Sequence, residues 1–284
     1  MTTTVTDSLI ELDQVTRTFA LGGLLSRNRF AAVNDVSFQL PRGVPQIFAI
    51  IGESGSGKTT LARMILNLLT PSSGIIRFKG RDLKTIQSRS EKLAFMSEVQ
   101  PVFQNPFSAF NPLKQVDRYL FMSAKRFADA KTQSECEQFS DRALNKVGLS
   151  LQEVKDRFPH ELSGGQLQRV AIARALIAEP SLLIADEPVS MVDASLRMAI
   201  VNLFKTLRDD FKVSIIYITH DLTTAYYISD QIIIMQKGVV VESGAARSVL
   251  DHPQHPYSQL LKNSVLSPSV GSNSLLDLDS PSSH

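Results

Sequence analysis

Eight consecutive residues, Gly52-Glu53-Ser54-Gly55-Ser56-Gly57-Lys58-Thr59, concentrate the clearest chemistry in the chain. They fit G-x-x-x-x-G-K-[S/T] in full, after a short apolar run from Gln46 to Ile51 and before a stretch of helical spacing that opens at Thr60. Glycines let backbone N–H groups turn inward around phosphates without side-chain clash. The helix start adds a field that favours anions. Lys58 can reach β- and γ-phosphates, and the Thr59 hydroxyl can ligate Mg²⁺. Gly52 to Thr60 therefore reads as a nucleoside triphosphate site. A glycine-rich turn with an incidental lysine is the plain alternative, and the complete pattern in its strand–turn–helix setting argues against it.

Phosphoryl transfer to water also needs a metal carboxylate and a group that polarises the water. Ser181 to Pro188 is an apolar strand that ends in Asp186-Glu187. Ligands of open α/β sheets gather outside the carboxyl ends of strands, where these acids fall. Asp186 is placed for Mg²⁺, directly or through water, and Glu187 for the attacking water. His220 ends a second apolar strand in Ile218-Thr219-His220-Asp221 and reads as a γ-phosphate or water-orienting group. Leu162-Ser163-Gly164-Gly165-Gln166 opens a helix. Ser163 and Gln166 alone make a capping box. The two glycines cost about 1 kcal/mol each against alanine inside a helix, and they make sense if an anion approaches the backbone there.

Leu162 to Arg169 (LSGGQLQR) resembles the signature of ATP-binding-cassette ATPases, and the phosphate loop, Ser181 to Pro188 and Thr219-His220-Asp221 match that family in order and spacing. The resemblance covers about residues 8–262. It implies ATP and Mg²⁺ as ligands. It makes Gln104, in Val102-Phe103-Gln104-Asn105-Pro106, the family's Q-loop residue near metal and water, and Asp193, in Ser190-Met191-Val192-Asp193, its D-loop aspartate. Phe19 takes the place of the aromatic that stacks on adenine. The resemblance further implies two cassettes sandwiching two ATP molecules, with Ser163, Gly164, Gly165 and Gln166 facing the γ-phosphate held by the partner's loop.

The elements that must position these residues alternate. Leu9 to Val15 and Ala32 to Leu40 read as strands around a basic, glycine-containing loop from Ala20 to Phe30, with a turn at Pro41-Arg42-Gly43. A helix is expected over Thr60 to Leu69 and a strand over Ile75 to Phe78. From about 106 to 165 the chain reads as a helical insertion. Then follow helix Gly165 to Ala178, strand Leu182 to Ala185, helix Ser195 to Arg208, strand Val213 to Thr219, helix Leu222 to Ser229 and strand Gln231 to Met235. This alternation predicts a mostly parallel sheet. With the resemblance, the expected fold is the α/β P-loop cassette, a parallel core sheet carrying an antiparallel β subdomain and a helical signature subdomain. Residues 244–264 read as a C-terminal extension and 265–284 as a disordered serine-rich tail.

The chain has 284 residues, 30 Lys+Arg against 28 Asp+Glu, and a net charge of +2. That balance argues against a dedicated nucleic-acid binder. One cysteine excludes a disulfide framework and any all-cysteine cluster within the chain. No apolar run approaches the roughly 20 residues that span a bilayer. Phe103 to Pro112, the insertion before Ala32 and His255-Pro256-Tyr257-Ser258-Gln259-Leu260-Leu261 are similar to the ATPase subunits of oligopeptide, dipeptide and nickel importers. Several of those carry a C-terminal cysteine cluster, which this chain lacks. The resemblance implies a second cassette subunit, different or identical, two transmembrane permease subunits, indirectly a solute-binding protein, no nucleic acid, and a peripheral place on the cytoplasmic face of the inner membrane. A soluble cassette ATPase acting on ribosomes or DNA is the alternative, and a P-loop kinase or switch is disfavoured by the signature.

Overall fold

Long runs of β-branched and aliphatic residues bury both faces of a strand, which suits the interior of a parallel sheet. Ile47–Ile51 (β3), Leu182–Asp186 (β7), Ser214–Thr219 (β8) and Gln231–Gln236 (β9) are such runs, and every residue of β3 and β8 is buried. A computed structural model of the protein, describing residues 7–20 and 29–266, shows them as neighbours in one sheet. Ser8–Ala20 (β1), Arg29–Pro41 (β2), Ser73–Phe78 (β4) and Arg81–Asp82 (β5) make a second, antiparallel sheet in the order β2-β1-β4-β5. Val99–Val102 (β6) and Val239–Ala245 (β10) are the edges of the first, whose order is β10-β9-β3-β8-β7-β6. Only β10 runs antiparallel to its neighbour.

Helices cover both faces. Lys58–Ile65 (α1) packs with the antiparallel sheet in one core, which includes Ile50, Leu61, Ile65, Ile76 and Ile216. Arg89–Glu98 (α2) leads straight into β6. Between β6 and β7 the chain is helical: Asp117–Phe127 (α3), Gln133–Asn145 (α4), Leu151–Val154 (α5) and Gly164–Leu176 (α6). They share a second core with Ala194–Asp209 (α7), built on Leu120, Leu144, Val170, Phe204 and Tyr217. Cys136 lies inside it, wholly buried, with Sγ donating to the Phe121 carbonyl at 3.9 Å. Leu222–Ile228 (α8), Ala246–Asp251 (α9) and Pro256–Leu266 (α10) close a third core around β9. No helix among the described residues is long and apolar enough to cross a membrane.

Several expectations shift. Both first strands are longer than their alternation indicates, so Ala20, Arg29 and Phe30 are strand rather than loop. The reason is a register irregularity between Leu12 and Val15, with Gln14 at φ +50°, that breaks period-2 spacing without ending the pairing. The rest of the Ala20 to Phe30 loop and the tail from 267 lie outside the described residues, and α10 runs through Leu266, inside the stretch read as tail. The first helix begins at Lys58 and ends at Ile65, not Thr60 to Leu69. Six elements had no sequence reading: β5, α2, β6, β10, α9 and α10. β6 carries Pro101, which an edge strand tolerates and a sequence pattern hides.

The β1 irregularity leaves no room beside β4. A Cβ on Gly74, at φ +81°, would sit 2.3 Å from the Gln14 carbonyl oxygen. Gly74→Ala is expected to cost about 2–4 kcal/mol through strain and backbone displacement, read as a lower urea midpoint at unchanged slope. A midpoint equal to wild type would mean that the bulge yields freely.

Candidate functional site

The parallel register brings the predicted residues to one rim. Ile51 of β3 lies opposite Thr219 of β8, Asp186 of β7 opposite Ile218, and Val102 of β6 opposite Ala185. Gly52, His220, Glu187 and Gln104 therefore leave the sheet together at its carboxyl edge, as open α/β sheets place ligands. A cavity of about 790 Å³ opens there. Phe19, Gly52, Glu53, Ser54, Gly55, Gly57, Lys58, Thr59, Thr60, Gln104, Glu187 and His220 all line it.

Lys58, the first residue of α1, is buried, and its ammonium is fully engaged. Nζ donates to the Gly52 carbonyl at 2.6 Å, the Glu53 carbonyl at 2.7 Å and Ser56 Oγ at 3.3 Å. Burial pulls its pKa below the ordinary lysine value, against the charges of Glu187, Asp186 and Glu53. Two loop glycines answer to the chain itself. A Cβ on Gly52 would meet the Met235 carbonyl oxygen at 2.2 Å, and one on Gly57 the Ala32 carbonyl oxygen at 2.1 Å. Ser56 does not face the cavity. It is buried beneath the loop, accepting from Lys58, with its carbonyl accepting from Gly238 N at 3.0 Å.

Glu187 is clamped from two sides. Gln104 Nε2 donates to Oε2 at 2.8 Å, and His220 Nδ1 lies 3.1 Å from Oε1. With a carboxylate as acceptor, the imidazole that bonds carries its proton on Nδ1. The Glu187 backbone sits at φ +47°, in the left-handed region that side chains disfavour, and its N–H donates to the Ile218 carbonyl at 2.8 Å. Strain of this kind persists where surrounding structure over-determines it. Asp186 is half-buried behind Thr59, whose hydroxyl it engages. Burial pushes its carboxyl above the usual aspartate range, and the Thr59 bond opposes this. A desolvated carboxylate beside a threonine hydroxyl is a hard oxygen pair that fits Mg²⁺.

At the other end, Phe19 presents a half-open ring paired across the strands with Phe30, which also lines the cavity. The Arg17 guanidinium lies over the Phe19 ring at 4.8 Å and is tied by a 2.7 Å bond to the Thr70 carbonyl. Phe30, Ala32 and Leu261 are lining residues that the motifs did not single out as ligands. Their signal was present only as neighbours of the insertion and of the His255 to Leu261 run.

Ser163, Gly164, Gly165, Gln166 and Asp193 are not among the cavity's lining residues. Ser163 and Gln166 do form the capping box of α6: Ser163 Oγ accepts from Gln166 N at 3.2 Å, and Gln166 Oε1 from Ser163 N at 3.0 Å. At Gly165 a Cβ would lie 2.8 Å from Leu196 Cδ1 of α7, the far end of a side chain that can give way. At Gly164 the nearest neighbour would be the Met191 carbonyl at 3.8 Å. Asp193 occupies the N-cap position of α7 without its side chain capping the helix, and it is exposed.

The family model described as ABC transporter matches residues 33–190. The chain is 36% identical over 261 residues to an oligopeptide transport ATP-binding protein, OppF, of Streptococcus pyogenes, across 92% of this chain and 83% of that protein. It is 37% identical over 245 residues to the dipeptide transport ATP-binding protein DppF of Haemophilus influenzae, across 84% and 72%. Its fold is similar to the ATP-binding cassette MJ0796 in a dimeric post-hydrolysis state bound to ADP and Pi, with a TM-score of 0.73 and 26% identity over 84% of this chain and 99% of that one.

Because Asp186 is desolvated, its charge costs stability. A raised native pKa means that stability declines as pH climbs from the unfolded aspartate value, near 3.9, through the native one. Asp186→Asn is therefore expected to raise the melting temperature of the nucleotide-free chain at pH 7 by a few degrees. The gap should narrow as pH is lowered toward the ordinary aspartate range. A variant that melts lower than wild type at pH 7 would contradict this.

Proposed function

The chain belongs to the ABC transporter family, and on that premise we propose that it is the ATP-hydrolysing subunit of a peptide-class importer. The observation that carries the reading is the Glu187 carboxylate held between Gln104 and His220 on the cavity that also holds Lys58. Lys58 supplies fixed positive charge for β- and γ-phosphates, and the loop's inward backbone N–H groups take the remaining phosphate oxygens. Glu187 accepts the proton of the attacking water at one of its Oε atoms. Gln104 and His220 orient that carboxylate, and His220, with much of its ring exposed, can turn to the γ-phosphate. Phe19, backed by Arg17, offers its free face to the base. Thr59 and Asp186, with Gln104 nearby, would hold Mg²⁺, which would neutralise charge developing on the phosphates.

The arrangement of the signature favours an ATP sandwich. Ser163 to Gln166 and Asp193 stand away from the chain's own cavity, Gly164 is open, and Asp193 is exposed and unspent, so a second cassette's nucleotide is what they would meet. ATP closes such a dimer and hydrolysis releases it, moving the Q-loop region of Gln104 and the helices after it. On this reading the subunit docks on two permease subunits at the cytoplasmic face of the membrane, in keeping with its likeness to transport ATP-binding proteins. A solute-binding protein selects the cargo. The second cassette is a different chain or a second copy of this one, and any cysteine cluster would belong to a different chain, since this one has a single cysteine, Cys136. The transport relatives favour this over a soluble cassette acting on ribosomes or DNA.

Glu187→Gln is the decisive variant. Phosphate release is expected to fall by about 10²-fold or more, the scale of a lost general base. ATP binding should persist, and an ATP-dependent dimer should accumulate on size exclusion. Wild-type turnover in this variant would remove Glu187 from the role.

A further inference from the structure

The C-terminal helix α10 belongs to none of the nucleotide motifs, yet one of its faces lines the cavity at Leu261 and bonds the phosphate loop at Tyr257. Tyr257 and Leu261 are four residues apart and so share a side of the helix. The Tyr257 hydroxyl accepts a hydrogen bond from the Glu53 backbone N–H at 3.0 Å. Leu261 lines the cavity with Phe19 and Phe30. Tyr257 is buried, 7% exposed, in the core that includes Ile51, the last residue before the phosphate loop.

The contact has consequences because of what Glu53 holds. Its carbonyl is one of the acceptors fixing the Lys58 ammonium, at 2.7 Å. The Tyr257 hydroxyl thus fixes the residue that fixes the lysine. Tyr257 is itself anchored. Glu242 of β10 accepts from Gln254 N at 2.9 Å and His255 N at 3.2 Å, and His255 Nδ1 accepts from Tyr257 N at 3.2 Å. This path runs from the sheet edge through the turn before α10 to Glu53 of the phosphate loop.

We propose that α10 is a wall of the nucleotide site, in which Tyr257 is a positioning residue for the phosphate loop and Leu261 a direct contact for the bound nucleotide. The inference rests on the ATPase reading above. It makes the C-terminal extension a determinant of nucleotide affinity in its own chain.

The test uses the full chain, assembled with its transporter partners, and three variants. Tyr257→Phe keeps the ring and removes only the acceptor. Leu261→Ala shortens the wall. Leu260→Ala, on the exposed face of the same helix at 65% exposure, controls for damage to the helix. Tyr257→Phe and Leu261→Ala are expected to raise KM for ATP about three- to tenfold, the worth of one hydrogen bond or a few methylenes. Both should change kcat less than about twofold, and binding of a fluorescent ATP analogue should weaken in parallel. Leu260→Ala should leave all three at wild-type values. An unchanged KM in both cavity-side variants overturns the proposal. So does a KM change that Leu260→Ala reproduces, or one matched by a fall in the melting temperature of the nucleotide-free chain, since each assigns α10 a merely structural role. Failure of the ATPase reading is separately visible, as wild-type phosphate release that Glu187→Gln does not alter.

Discussion

The register of five parallel strands is the constraint on which everything else hangs. Side chains on different strands can meet at a rim only if the strands end at the same height. Here Ile51 pairs with Thr219, Asp186 with Ile218 and Val102 with Ala185, and the residues just beyond them reach one rim. A slip of one residue on β7 would turn Asp186 and Glu187 to opposite faces. That pairing is secured far from the chemistry, by Ile, Leu and Val side chains buried between layers of helices and the antiparallel sheet. The core thereby acts as a jig for groups it never touches.

Against that jig the site holds two unfavourable things. A lysine ammonium is buried, and a glutamate backbone is forced to φ +47°. Each is compensated locally. Lys58 has three oxygen acceptors, and Glu187 has a backbone bond to Ile218 and two side-chain clamps. Both features are thus held by bonds that the chain itself makes, and a phosphate that reaches Lys58 competes with the Gly52 and Glu53 carbonyls for its ammonium.

Much of this was legible in the residues, and what was not has physical causes. Motifs such as Gly52 to Thr59 are local, so spacing alone placed them on a strand–turn–helix. The pairing of Glu187 with both Gln104 and His220 is long-range and left no local trace. Gln104 entered through family likeness, because the strand before it is short, proline-containing and at an edge. Sequence spacing attributes the glycines to an approaching anion, whereas Gly52 and Gly57 are each also demanded by backbone carbonyls of the same chain. Only burial and distance separate those two causes. Alternation understates the length of the N-terminal strands because a bulge erases it while preserving pairing. The role of Tyr257 was hidden because its partner is a backbone N–H about two hundred positions away, which no side-chain pattern reports.

The contact between Gly165 and Leu196 reaches beyond packing. Gly165 lies in the first turn of α6, beside Ser163, and Leu196 in the first turn of α7, beside Asp193. Two helix starts separate in sequence thus lie side by side. A second molecule that meets the signature end of α6 would therefore meet the aspartate end of α7 as well.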